Sequence, residues 1–307
     1  MSGTVVLTGG VGGAKLVLGL LQVVDPVTVT AIVNTGDDFR HLGLHISPDI
    51  DTLLYTLSGK ANTAQGWGRE DESWAFLSAL RELGGEDWFL LGDRDMALHV
   101  LRTAGLARGD TLSTITAAVA RRWGVEAKIL PMTDDPVATM LDSDVGELEF
   151  QRYFVALRCA PAIHAIRFAG AEQASPAPGV VDAIMTADIV LIAPSNPFLS
   201  VDPLLAIPAI HKALSDTLAP IVAVSPLVGG QAVKGPTVKL MGELGLPVDN
   251  DSIARHYAGL IDGLLIDSGD DCSVTDIAIA HTPTLMVTLE DKARVARAAL
   301  ALAAAID

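Results

Sequence analysis

The chain has 307 residues, half of them hydrophobic and 19% charged, which is enough to bury a sizeable core and excludes a disordered chain. Its 37 Asp plus Glu against 21 Lys plus Arg give a net charge of −16. That balance lacks the basic footprint needed for nucleic acid or an anionic membrane, yet leaves a phosphorylated ligand open, because backbone amides and metal ions also hold phosphate.

Thr4 to Thr8 (TVVLT) is a short apolar, β-branched run, followed by glycines and a helix-like stretch from Ala14 to Val24. A second strand, Val27 to Val33, ends in the polar turn Asn34-Thr35-Gly36-Asp37-Asp38. This order implies a right-handed βαβ unit with parallel strands. From about Asp51 to Ala120 helical patterns take over, at Thr52–Leu57, Glu72–Leu83, Met96–Ala104 and Leu112–Trp123. Ala127 to Leu130 reads as a short strand and Leu148 to Arg158 as an extended one. Further strands are expected at Ile189–Ala193, Ile221–Ser225, Gly263–Asp267 and Leu285–Val287, and a surface-packed helix at Ala293–Ala305. Continuous apolar strands mark a parallel sheet covered on both faces. The expected fold is α/β: a Rossmann-like, doubly wound, mostly parallel sheet, with residues 1–56 and 125–307 as core and 57–124 as a mostly helical insertion.

Cys159 and Cys272 lie far apart and form no zinc spacing or disulfide framework, which suits a reducing, cytoplasmic setting. The N-terminal apolar residues, broken by Gly9, Gly10, Gly12, Gly13 and Lys15, do not read as a signal peptide, and no run is long enough for a membrane helix.

Ligands of open α/β sheets bind beyond the carboxyl ends of the strands. Small, polar or Gly-rich loops follow four strands here: Thr8 to Lys15, Asn34 to Asp38, Pro194-Ser195-Asn196-Pro197, and Pro226 to Gly230. The first fits neither common phosphate motif: Lys15 stands where a dinucleotide fingerprint needs its third glycine, and Ala14 and Leu16 flank Lys15 where a Walker A loop needs Gly and Ser or Thr. Its glycines at a helix start still suit an anion, with Lys15 adding charge; a tight turn without a ligand is the alternative. The carboxylates Asp37, Asp38, Asp49 and Asp51 crowd close behind. Oxygen ligands near a phosphate loop suit Mg²⁺. The alternatives are a helix cap for Asp51 and a solvated turn for Asp38. Trp67 and Trp74 offer a stacking surface or a buried loop core; Asp93 or Asp95 precedes a helix carrying His99 and could cap it; Lys234 and Lys239 read as solvent-facing.

Eight segments in order resemble one family, the 2-phospho-L-lactate transferases of coenzyme F-420 biosynthesis (CofD): GGVGGAK from Gly9, VNTGDD from Val33, SPDIDT from Ser47, GWGRE from Gly66, LGDRDMALH from Leu91, ILPMTDDP from Ile129, APSNP from Ala193 and VSPLVGG from Val224. The resemblance implies a reaction in which the terminal ribityl hydroxyl of the deazaflavin Fo attacks the guanosine diphosphate adduct of a small phospho-acid and releases GMP. The acid stays open among phospholactate, phosphoenolpyruvate and 3-phosphoglycerate. It further implies Mg²⁺ on Asp37 and Asp49, which also carry the catalysis. Gly9, Gly10, Gly12, Lys15, Ser195 and Asn196 would contact the diphosphate and nucleotide. Asp51, Trp67, Asp93 and His99 would lie near Fo, and a homodimer is expected. Two other readings stand beside it: a non-catalytic regulator of the same superfamily binding a nucleotide sugar, and an NAD-dependent dehydrogenase, which the failed fingerprint disfavours.

Overall fold

The computed structural model describes residues 3–232 and 235–306, so Lys234 lies outside the described residues. The first apolar run forms β1 (Thr4–Thr8), the glycine segment opens α1 (Gly10–Leu20), and β2 (Val29–Val33) follows a 3₁₀ turn at Pro26–Thr28. A hairpin of β3 (Phe39–His41) and β4 (Leu44–Ile46) leads into α2 (Pro48–Leu57). Then come α3 (Ala75–Glu82), α4 (Asp93–Ala107), α5 (Leu112–Arg122) and β5 (Lys128–Pro131). An antiparallel sheet follows, β6 (Ala138–Ser143), β7 (Gly146–Glu149) and β8 (Ile163–Ala169), with a π-helical turn at Arg152–Ala156. The rest alternates: α6 (Val180–Met185), β9 (Ile189–Ile192), a π-helical turn at Pro197–Val201, α7 (Asp202–Leu205), α8 (Pro208–Asp216) and β10 (Ile221–Val224). The small hairpin β11 (Leu227–Val228) and β12 (Gln231–Ala232), α9 (Thr237–Glu243), α10 (Asn250–His256), β13 (Gly263–Ile266), β14 (Ala278–His281) and α11 (Leu289–Ala304) complete it.

Seven strands form one all-parallel sheet in the order β14-β13-β10-β9-β1-β2-β5. The chain starts at β1, builds outward to β5, then returns to the other side of β1 with β9. The loops after β1 and β9 therefore separate at a topological switch point, where such sheets open a ligand crevice. Strand residues alternate between two cores: Val5, Leu7, Ile32 and Val190 pack on one face, Val6, Val33 and Leu191 on the other. Helices α1, α2, α5 and α11 contribute to the second core, and the antiparallel sheet to the first. The α/β class, the parallel sheet and its two covered faces agree with the sequence reading.

Four expectations change. Of the run 148–158 only Leu148 and Glu149, the end of β7, are extended; the chain then turns π-helical, burying Tyr153 and stacking Phe150 on Phe154 at 5.3 Å. The last sheet strand is Ala278–His281, not Leu285–Val287. Residues 285–287 follow Pro283 as a surface segment in which Met286 is buried while Leu285 and Val287 stay exposed. Helix α1 starts at Gly10 rather than Ala14, because packing selects a helix where propensity alone does not. Helix α11 is more buried than a surface-packed helix: Val295, Ala296 and Ala299 are fully enclosed. The β3–β4 hairpin and the antiparallel sheet carry no strong apolar run and escape a sequence reading.

Helices α1 and α11 touch so closely that a Cβ on Gly19 would overlap the Lys292 carbonyl oxygen. A Gly19→Ala variant is expected to lose about 2 kcal/mol to this overpacking. Gly242, in α9 with open space around it, is the contrast: Gly242→Ala is expected to gain about 0.5 kcal/mol. Urea melts of both variants check the pair, and equal effects would contradict the α1–α11 contact.

Candidate functional site

All four polar loops at strand ends reach one cleft of about 650 Å³. Gly9, Gly10 and Gly12 line it from α1, Asp37 from the β2 loop, Ser195 and Asn196 from the β9 loop, and Ser225 and Pro226 from the β10 loop. The glycines are there first for close approach. A Cβ on Gly9 would sit 2.6 Å from Asp49 Oδ2 and 2.8 Å from Ser200 Cβ, and one on Gly12 would overlap the Pro194 carbonyl. Ser195 Oγ donates to the Gly9 carbonyl (2.6 Å), tying the β9 loop to the β1 loop. Asn196 Oδ1 accepts from the amides of Phe198 and Leu199, which fixes its amide plane. Its Nδ2 is left buried with no partner among the described residues.

Asp49 stands in the first turn of α2, whose N-cap is Ser47 and whose first residue is Pro48. Its Oδ1 accepts from the Gly10 amide (2.7 Å) and its Oδ2 from Asn34 Nδ2 (3.0 Å). Asn34 also bonds the Leu199 carbonyl (3.2 Å) and, through Oδ1, the Gly36 amide (2.7 Å). Asp37 is 5% exposed and accepts a long bond from Thr139 Oγ1 (3.4 Å) on β6. Burial, then the neighbouring Asp49 charge, push Asp37 well above the ordinary carboxylate range. Burial raises Asp49 to about 6 despite its bonds from Asn34 and Gly10. Two enclosed carboxylates, both with raised proton affinity and Asp37 raised further by the Asp49 charge, fit a site for a divalent cation. Among the described residues no group of three or more His, Cys, Asp or Glu gathers as a cation cage. Two carboxylates suffice for Mg²⁺, which takes its remaining oxygens from phosphate and water.

The other acidic residues do different work. Asp51 is not the helix cap; it lies one turn in and forms a buried two-pronged ion pair with Arg102. Asp38 is not a solvated turn residue: Ser47 Oγ (2.7 Å) donates to it and His45 Nε2 lies 3.0 Å away. His99 is enclosed on the cleft wall, its Nε2 3.2 Å from Asp95 Oδ1 and its Nδ1 3.3 Å from Arg102 Nη1. Tyr55 Oη donates to Asp95. Burial raises Asp95, but the bonds from His99 and Tyr55 outweigh it and hold the group below its ordinary value.

Asp93 does not line the cleft. Its carboxylate accepts from Ser73 Oγ (2.5 Å) and the amides of Ala75 and Phe76, so it caps α3 rather than its own helix. Glu72 returns the arrangement, accepting from the amides of Arg94 and Asp95 at the start of α4. Gly92 packs closely beside it, and a Cβ there would displace the Glu72 side chain. Lys15 reaches the cleft and bonds the Met286 carbonyl (2.8 Å). Lys239 bonds Pro161 O (2.6 Å) and Glu243, away from the cleft. Trp67 lines the mouth, 46% exposed.

Sequence reasoning missed Asn34, Thr139, Arg102, Tyr55, Phe150 and Phe154. Asn34 was visible in the strand-end turn, and the Asp95–His99 pair in its i, i+4 spacing. Nothing in the sequence marks Thr139 or Arg102.

A family model described as 2-phospho-L-lactate transferase CofD matches residues 4–298. The chain is 43% identical over 310 residues to a phosphoenolpyruvate transferase of Streptomyces coelicolor, covering 97% of each protein. It is 42% identical to that of Kitasatospora aureofaciens (97% of each) and 38% identical to that of Mycobacterium sp. strain JLS (97% of this chain, 98% of that protein). A crystal structure of a UPF0052 family protein from Bacillus halodurans superposes with a TM-score of 0.65 at 17% identity, covering 97% of this chain and 98% of that one, a likeness of fold alone.

Both carboxylates have raised folded-state values, so the stability they contribute is full below about pH 4 and is lost as pH rises through those values, about 6 for Asp49. Without divalent cation, the Tm of Asp37→Asn relative to wild type is expected to improve between pH 4 and pH 7.5. Added Mg²⁺ is expected to raise the wild-type Tm more at pH 7.5 than at pH 5, and the variant's little at either. A pH-independent difference between the two proteins would contradict the carboxylate pair.

Proposed function

This chain belongs to the 2-phospho-L-lactate transferase CofD family, and on that footing we propose that it transfers the phosphoenolpyruvate unit of a guanosine diphosphate adduct to the deazaflavin Fo and releases GMP. It is a phospho-acid transferase of coenzyme F-420 biosynthesis. The choice of acid rests on the curated relatives, several of which are named phosphoenolpyruvate transferases. The observation that carries the chemistry is the Asp37–Asp49 pair beside the N-terminus of α1 in a two-ended cleft.

The reaction forms a bond from the acceptor's terminal hydroxyl oxygen to the phosphorus bearing the enol acid. The bond from that phosphorus to the bridging oxygen breaks, and GMP leaves with the electron pair while the hydroxyl loses its proton. Such transfers need positioning and charge stabilisation more than covalent help. The Gly10 amide is occupied by Asp49, so the amides of Val11 and Gly12 remain in the first turn of α1 to meet a donor phosphate. Asn196 Nδ2 supplies a fixed donor on the facing loop, and Ser195 holds the Gly9 backbone in place. Lys15 adds positive charge at the cleft wall. Asp37 and Asp49 are the groups that would hold Mg²⁺, which when bound neutralises diphosphate charge and acidifies the attacking hydroxyl. The apolar end of the cleft, with Trp67, Phe89, Leu90, Phe150 and Phe154, suits the flat ring of Fo. Among the described residues no helix is long and apolar enough to cross a membrane. A homodimer in the cytoplasm is the form we propose for it.

The test mixes protein, Fo and Mg²⁺ with the guanylylated enolpyruvate, lactate and glycerate phosphates separately and follows GMP and the Fo adduct by mass spectrometry. The enolpyruvyl donor is expected to react fastest, with GMP formed only when Fo is present. Asp37→Asn and Asp49→Asn are each expected to lower kcat by about a hundredfold or more. Ordinary Mg²⁺-dependent turnover in both variants would overturn the metal-site assignment, and preference for another donor would overturn the choice of acid.

A further inference from the structure

Trp67 is an exposed indole held at a cleft mouth by a loop with little core of its own. Residues 61–70 close on themselves through the Asn62 amide on Gly68 O (3.0 Å), the Gly66 amide on Asn62 O (2.9 Å) and the Glu70 amide on Lys60 O (2.9 Å). Gly66 (φ 76°) and Gly68 (φ 70°) flank Trp67 in left-handed conformations that favour glycine. These bonds shape the loop but do not fix where it stands relative to the sheet.

Arg69 does that. Its guanidinium carbon lies 5.7 Å from the Tyr55 ring of α2 and 5.5 Å from the Trp123 ring just past α5. The two rings are themselves 5.8 Å apart. Arg69 Nη1 also donates to the Arg94 carbonyl of α4 (3.3 Å), and its Nε is buried. One side chain therefore joins the loop to three helices. Tyr55 is fastened in turn by its bond to Asp95, and Lys60 adds a second cation 5.8 Å from Trp123. Residues 150–155 reach the neighbouring wall through Arg152, whose guanidinium sits 4.7 Å from the Trp88 ring.

We propose that Arg69 is a positioning residue: stacked on Tyr55 and Trp123, it sets the loop so that Trp67 forms one face of the slot for the acceptor's flat ring. The inference rests on the deazaflavin reading above and extends it to a residue outside the cleft. Cation–ring contacts of this kind are geometric as well as attractive, and Lys cannot reproduce the planar stacking of guanidinium.

Steady-state kinetics with Fo and the enolpyruvyl donor test it. Trp67→Ala and Arg69→Ala are each expected to raise the KM for Fo about tenfold, the size of one lost aromatic contact, with the donor KM within about twofold of wild type. Trp67→Phe is expected to stay close to wild type. The double variant is expected to be no worse than either single one, because Arg69 acts through Trp67. Trp67 is exposed, so its variants fold even if Arg69→Ala does not. Additive effects, or equal rises in both KM values, would overturn the positioning role. Wild-type turnover with Trp67→Ala unaltered would overturn this inference alone. A wild type that uses no deazaflavin acceptor would overturn the acceptor reading and this inference with it.

Discussion

A single buried carboxylate joins the parts of this molecule that the sheet brings near one another. Asp49 accepts from the Gly10 amide at the start of α1 and from Asn34 at the end of β2, and Asn34 reaches the Leu199 carbonyl beyond β9. Three strand-end loops at the switch point thus close around one group. Their spacing is tight enough that Gly9 can carry no side chain. Enclosing an ionised group is costly, and burial is the main cause of the raised proton affinities of Asp49 and Asp37. Packing alone would be better served by apolar residues. Strain of this kind collected at one end of a sheet is what a site for a cation and a diphosphate requires.

The cleft has two chemical characters because two parts of the fold build it. The strand ends contribute backbone amides, carboxylates and small polar side chains. The segment between α2 and β5, with the π-helical turn after β7, contributes rings and apolar surface. The exchange of caps between Glu72 and Asp93 shows how the second part keeps its shape without a large core. The start of α3 is satisfied by Asp93, the first residue of α4, and the start of α4 by Glu72, in the segment leading into α3. Asp93, in one of the recognisable segments, serves this internal geometry and does not line the cleft.

The central strands were legible because a parallel sheet buried on both faces leaves uninterrupted apolar runs, as in β1, β9, β10 and β13. The polar strand-end loops were legible for the same reason, since they stand out against those runs. The edge strand Ala278–His281 was not, because partial burial asks for no continuous apolar stretch. Nor was the π-helical turn at Arg152–Ala156, whose aromatic and β-branched residues carry strand propensity that tertiary packing overrides. For the site, Asp37, Ser195 and Asn196 were visible as members of those loops, and Asp49 as a carboxylate close behind one of them. Asp93 was visible and misplaced, since a sequence cannot show that a carboxylate caps the preceding helix rather than its own.

The sequence by itself determined the fold class, the acidic balance, the family and the polar loops that line the cleft, because composition, periodicity, glycine placement and ordered motifs are properties of the chain. Tertiary structure alone decided which carboxylates pair and which are spent on Arg102 and His45, since burial and neighbouring charge depend on residues 7 to 51 positions away. It also decided that Thr139 meets Asp37 and that Arg69 meets Tyr55 and Trp123. Those contacts join separate elements, and nothing in the spacing of one element specifies the face that another will offer it.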